Sequence, residues 1–173
     1  FANAGVLLNQ KAKGIMDSNL DDFKATFNVN VFGVVNTIKA FVPLLQQSDK
    51  GSIMCNTASI GGLMKGTPDL ADYVSSKHAV VCLSEALSFE LAKDFPQIRV
   101  CICCPCIVST GLNATSSMNQ NAERKGESLT DPVDLSSLQG AGAFGYGLTP
   151  YNHAQQVFDR IAAVSKKYCI YIY

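Results

Sequence analysis

From Leu20 to about Gln47 the apolar residues Phe23, Phe27, Val31, Val34, Val35, Ile38 and Val42 recur at steps of three and four. That spacing predicts a helix with a broad buried face. Ser18-Asn19-Leu20-Asp21 opens it, with Ser18 as the expected cap and acids in the first turn. Pro43 is expected to kink or end it. A second long helix is predicted from Asp69 to about Phe95, with Pro68 beside its first turn. Its middle, Ala79 to Leu91, is apolar on more than one face and so should pack against two neighbours. A last helix opens at Thr149-Pro150 and runs to about Ser165.

Short, solidly apolar runs lie between these helices: Gly51 to Thr57, Ile98 to Cys104 stopped by Pro105, and Tyr168 to Tyr173. Phe1 to Val6 reads as the tail of a further buried strand entering a loop. Strands that are apolar throughout and alternate with helices imply an α/β fold, a parallel sheet covered on both faces. Asn113 to Pro150 differs, being polar and rich in Gly and Ser with few apolar anchors. A stretch of that length is expected to be a substrate lid or loop. No internal repeat is evident.

Composition narrows the class. At 173 residues and 47% apolar content the chain is one domain or a large piece of one. Fourteen basic and 14 acidic side chains cancel, which leaves no electrostatic footprint for nucleic acid or an anionic membrane. Apolar runs such as Ala79 to Leu83 fall far short of the roughly 20 residues of a membrane span, and no signal-like segment opens the chain. Five of the seven cysteines (Cys55, Cys101, Cys103, Cys104, Cys169) lie in or beside strand-like stretches. Buried free thiols in a reducing, cytoplasmic setting account for them more simply than a disulfide framework. The chain starts at Phe1 and stops inside an apolar run, so both ends are expected to be cut.

The first candidate chemistry is Tyr73-Val74-Ser75-Ser76-Lys77. Residues i and i+4 share a helix face, so the Lys77 ammonium can sit near the Tyr73 phenol. A nearby cation favours the phenolate and lowers the phenol's pKa toward the range that acid–base catalysis uses. By itself the spacing is also what an ordinary exposed helix turn would show. Ser59 follows the strand end Cys55-Asn56-Thr57-Ala58, and ligands of parallel sheets bind at the carboxyl ends of strands. Its hydroxyl would stand beside the start of the Tyr73 helix. Asn30 is a polar residue on a largely buried helix and therefore needs partners.

Three other patterns carry less. Gly140-Ala141-Gly142-Ala143-Phe144-Gly145 fits the Gly-x-Gly-x-x-Gly expression, but polar Asp131 to Gln139 precede it where a strand is required. Cys101/Cys104 and Cys103/Cys106 have metal-like spacing, yet strand residues three apart point to opposite faces. A hydrolase nucleophile at Ser59 lacks the first flanking Gly of the elbow. His78 points off the Lys77 face, and His153 sits where exposure is the default.

Taken in order, several motifs resemble the short-chain dehydrogenase/reductases. Asn3-Ala4-Gly5 is similar to that family's turn after its fourth strand, and Asn30-Val31-Phe32-Gly33 to its catalytic Asn motif. Ser59, Tyr73 and Lys77 fall where its catalytic Ser and Tyr-x-x-x-Lys fall. Pro105-Cys106-Ile107-Val108-Ser109-Thr110 resembles the motif beside the nicotinamide, with Cys106 where Gly is usual.

The resemblance implies a Rossmann-like doubly wound sheet without its first βαβαβ part, since the Gly-rich phosphate turn lies upstream in that family. It implies an NAD- or NADP-dependent hydride transfer at an alcohol or carbonyl carbon of a small molecule. Tyr73 would be the acid–base, Lys77 would tune it and hold the nicotinamide ribose, and Ser59 would polarise the carbonyl. Asn30 would hold a relay water. Asn3, Ala4, Gly5, Tyr73, Lys77, Pro105, Val108 and Thr110 would border the cofactor. A homodimer or homotetramer through helix 69–95 is expected. The rival expectation is a non-catalytic remnant that serves association.

Overall fold

The computed structural model describes residues 1–8, 14–66, 68–106, 108, 112, 149–163 and 170–172. Helix α1 spans Leu20–Phe27. Its cap is Asn19, whose Oδ1 accepts from the Asp21 amide at 2.9 Å. Ser18, the expected cap, instead donates its hydroxyl to the Gly14 carbonyl at 3.0 Å. A π turn, Asn28–Phe32, follows, with the Gly33 amide bonded to the Asn28 carbonyl. It runs without a break into α2, Gly33–Leu45. Pro43 therefore lies inside the final turn, at the cost of one i→i−4 backbone bond, and the helix outlasts it.

Leu20–Leu45 reaches a mean hydropathy of 1.3 and is long and apolar enough, by composition alone, to cross a bilayer. A search for unbroken apolar runs passes over it because polar residues interrupt it. Two of those, Thr26 and Asn30, are fully buried and hydrogen-bonded to another helix.

Strands β1 (Ser52–Thr57), β2 (Ile98–Cys103) and β3 (Ile170–Ile172) form a sheet in the order β1-β2-β3. All pairings are parallel, with Ser52 opposite Ile98 and Cys101 opposite Ile170. On the free side of β1, Ala2 makes a parallel bridge to Asn56. The expected strand tail at the start of the chain is thus a single bridging residue among the described ones. The parallel α/β architecture agrees with an incomplete doubly wound sheet.

Strand alternation splits the core into two layers. Met54, Val100, Ile102 and Cys104 face Val34 and Val42 of α2 and Val80, Val81, Leu87 and Leu91 of α3, Ala71–Asp94. Cys55, Cys101 and Cys103 face Val157 and Ile161 of α4, Pro150–Ala163. Cys101 and Cys104 accordingly lie on opposite faces, and the described cysteines are free thiols. Burial pushes Cys55 up to about 12.

A short 3-10 turn, Pro68–Leu70, precedes α3, which begins later than the sequence pattern suggests. Residues Val74, Val80, Val81, Leu87 and Leu91 are buried along α3, consistent with neighbours on more than one side. Asn56 of β1, wholly buried, donates to the Ser84 hydroxyl of α3 at 2.9 Å. Every strand runs the same way, so Thr57 and Cys103 end side by side, and the segments after them share one edge of the sheet.

Candidate active site

Two backbone hydrogen bonds fix the segment after β1. The Ala58 amide donates to the Cys103 carbonyl at 2.7 Å, and the Ile60 amide to the Pro105 carbonyl at 2.9 Å. Ser59 lies between them in extended conformation, its Oγ accepting from the Gly61 amide at 3.1 Å. It caps a 3-10 turn, Ile60–Gly62. That turn rests on α3 at Lys77. A Cβ added to Gly62 would come within 2.8 Å of the Lys77 carbonyl oxygen, so the approach requires glycine.

Tyr73 and Lys77 stand one turn apart on α3. Lys77 Nζ lies 5.6 Å from the centroid of the Tyr73 ring and donates to the Thr57 carbonyl at 3.1 Å. The lysine is only 4% exposed. Burial pulls its ammonium down to about 8, against a smaller upward pull from the Cys104 and Cys103 thiols. The Tyr73 phenol moves the other way. Burial pushes it up, and its hydrogen bond with Ser59 pulls down. The expected lowering by Lys77 is therefore overridden here: the ammonium is aimed at a carbonyl, and loss of water dominates the phenol.

Asn30 is wholly buried in the π turn. Its Oδ1 accepts from the Val6 amide at 2.8 Å, and its Nδ2 donates to the Val6 carbonyl and the Ser76 hydroxyl, both at 3.0 Å. The need for partners read from the sequence is met by protein groups, so the side chain itself is committed to holding Val6 and α3. Gly5, next to Val6, lies close beneath both groups. A Cβ there would sit 3.3 Å from Lys77 Nζ and 3.4 Å from Asn30 Oδ1.

These groups open on one cavity of about 740 Å³. Asn3, Ala4 and Gly5 form one wall, Ser59, Tyr73 and Lys77 the centre, and Pro105, Cys106 and Val108 a third side. The structure thus brings together the predicted residues it describes, with Asn30 behind the wall rather than on it. Thr110, the expected lid from Asn113 onward as far as residue 148, and Gly140 to Gly145 lie outside the described residues.

His153, expected at an exposed position, is instead at the cavity. It is half-buried on the cavity's α4 side, its Nε2 3.6 Å from Cys103 Sγ. His78 does point away, with Nδ1 2.9 Å from the Val74 carbonyl. Gly62 and the Thr57 carbonyl were missed, because only the tertiary approach of loop and helix gives them a role.

Residues 1–121 match the family model described as short chain dehydrogenase. The 3-ketodihydrosphingosine reductase of Bacteroides thetaiotaomicron is 34% identical over 119 residues, 66% of this chain and 43% of that protein. A short-chain dehydrogenase/reductase from Burkholderia phymatum, solved in complex with NAD, superposes with a TM-score of 0.74 at 26% identity, covering 100% of this chain and 60% of that one. A protein from Escherichia coli described as a putative short chain dehydrogenase, complexed with NADPH, gives 0.57 at 26% identity, covering 66% and 45%. The chain spans about half the length of the relatives it matches.

Two outcomes follow from this geometry. Gly62→Ala should destabilise the protein by about 2 kcal/mol in urea unfolding, because the added carbon must push the Ser59 turn off the α3 backbone. Lys77 tests the burial. Its unfolded value is 10.5 and its folded value about 8. Below about 8 both states carry the proton and the fold bears the full desolvation penalty. Between the two values the folded state has lost its proton, and above 10.5 the penalty is gone. Lys77→Met should therefore gain on the order of 2 kcal/mol at pH 7. The gain should fade by pH 10, as comparative unfolding at the two pH values would read. An equal gain at both would contradict it.

Proposed function

The chain belongs to the short-chain dehydrogenase/reductase family, and from that premise we propose that its protein is an NAD- or NADP-dependent oxidoreductase interconverting a small-molecule alcohol and carbonyl compound. One observation carries the reading. A hydroxyl, a phenol and a buried ammonium converge on one cavity at the carboxyl ends of parallel strands.

The residues present fit the nicotinamide end of such a dinucleotide. The cavity pairs polar groups at its centre with apolar walls at Val108 and Val157. Gly5 leaves open the space in front of Lys77 that a side chain would crowd. Lys77 would hold the ribose, with Asn3, Ala4, Gly5 and Pro105 bordering the group. A bound dinucleotide supplies or accepts the hydride.

The chain's own residues handle the proton. Ser59 Oγ, fixed by the flanking backbone bonds, is placed to donate to a substrate oxygen and polarise it. Burial keeps the Tyr73 phenol protonated at neutral pH, the form that donates to a developing alkoxide. Lys77, titrating at about 8, lies close enough to the ring to favour the phenolate once the proton has left.

A second copy is the proposed partner. Phe89 on α3 is 79% exposed, and Phe41 and Leu44 on α2 are 54% and 58% exposed. Large apolar groups on the outer sides of two neighbouring helices favour an interface between copies.

In protein assayed with NAD and NADP against secondary alcohols and ketones, Tyr73→Phe should lower kcat by at least roughly a thousandfold while leaving dinucleotide affinity within about twofold. Turnover near the wild-type rate would sink the assignment. For association, light scattering should show a dimer or tetramer that Phe89→Asp dissociates, and a wild-type monomer at micromolar concentration would contradict it.

A further inference from the structure

Tyr73 occupies an unfavourable place for a group that must hold a fixed distance. It lies in the first turn of α3, which continues directly from the 3-10 turn Pro68–Leu70. Helix ends open more readily than helix interiors, because fewer backbone bonds hold them. Side-chain contacts to a neighbouring helix can hold such a turn.

The groups that do so come from α1 and the π turn. Asp72, adjacent to Tyr73 and 1% exposed, accepts a hydrogen bond from the hydroxyl of Thr26, itself wholly buried, at 2.9 Å. One turn further along both helices, Ser76, adjacent to Lys77, accepts from Asn30 at 3.0 Å. Both pairs span 46 residues, so the two helices run in the same direction with their rungs in register. The second rung is anchored again through Asn30 to Val6. The first has no such tie to a loop among the described residues, and it is held one residue before Tyr73.

We propose that Thr26 and Asp72 are positioning residues: their buried hydrogen bond ties the first turn of α3 to α1 and so holds the Tyr73 phenol against Ser59. The inference rests on Tyr73 being the proton-transferring group. Severing the bond should let the first turn open without unfolding the rest of α3, which the apolar contacts of Val80, Leu87 and Leu91 secure. Neither residue touches the cavity, so substrate and dinucleotide binding should be left largely alone.

The test uses the whole protein with Thr26→Val, which keeps shape and removes the donor, and Thr26→Ser, which restores a hydroxyl. Asp72→Ala serves as a second break should the valine variant fold poorly. Amide hydrogen exchange at residues 74–77, whose amides bond the carbonyls of the first turn, should accelerate about tenfold in Thr26→Val with residues 80–91 unchanged. The value of kcat should fall about tenfold with KM for dinucleotide unchanged, and Thr26→Ser should recover to within about twofold. Faster exchange with kcat intact, or no faster exchange, overturns the proposal. Should the wild type turn over no substrate, the oxidoreductase reading fails on its own. Ring-labelled NMR titration of Tyr73 then decides the positioning: a midpoint falling toward the ordinary tyrosine value in Thr26→Val supports it, and an unchanged midpoint overturns it.

Discussion

A buried ammonium whose hydrogen-bond partner is a carbonyl rather than a carboxylate organises this edge of the sheet. Lys77 Nζ spends its described bond on Thr57, the last residue of β1. An amine so placed is held by geometry more than by charge, since a neutral acceptor only partly offsets the lost hydration. Its surroundings are correspondingly tight. Gly62 brings the Ser59 turn onto the Lys77 backbone, and Gly5 brings the chain after the Ala2 bridge up against Nζ. Enlarging either residue disturbs the same amine, one from its backbone and one from its tip.

The same economy explains where polar groups enter the core. The α2 and α3 residues facing the sheet are almost wholly apolar, whereas the seam between α1, the π turn and the start of α3 is bolted by hydroxyl, amide and carboxyl groups. Apolar packing tolerates small shifts, whereas a hydrogen bond is lost over a few tenths of an ångström. Apart from the Asn56–Ser84 bond, directional contacts thus gather where α3 carries Tyr73 and Lys77, and non-directional ones where it only supports the sheet. The π turn belongs to this division. Its wider turn accommodates Asn30 at a point where the side chain reaches both Val6 and Ser76.

Much of this was legible in the chain. Periodicity located the helices, unbroken apolar runs located the strands, and strand alternation placed Cys101 and Cys104 on opposite faces. Spacing alone put Tyr73 over Lys77. What escaped is non-local. Ser18 and Asn19 are both plausible caps by type, and only backbone geometry selects Asn19. Thr26 and Asp72 look like ordinary surface residues, 46 positions apart, until two helices meet in register. Gly62 is one glycine among 13 until a helix carbonyl lies where its side chain would be. The polarity of Asn30 signalled that partners exist without saying which.

The direction of the Tyr73 shift is the most instructive departure. Residue spacing suggests a phenol lowered by its lysine, yet the structure raises the phenol and lowers the lysine. Both shifts have one cause, the withdrawal of water, which disfavours phenolate and ammonium alike. The pair therefore rests near neutral pH with the phenol protonated and the amine close to its own midpoint of about 8. In that state a small change in local charge moves the amine's proton, while the phenol keeps its own until a strong acceptor arrives. A donor that gave up its proton too readily would have lost it before a substrate oxygen arrived, and one held too firmly would not release it. Burial sets the first condition, while the Ser59 hydroxyl, which already favours the phenolate, works toward the second.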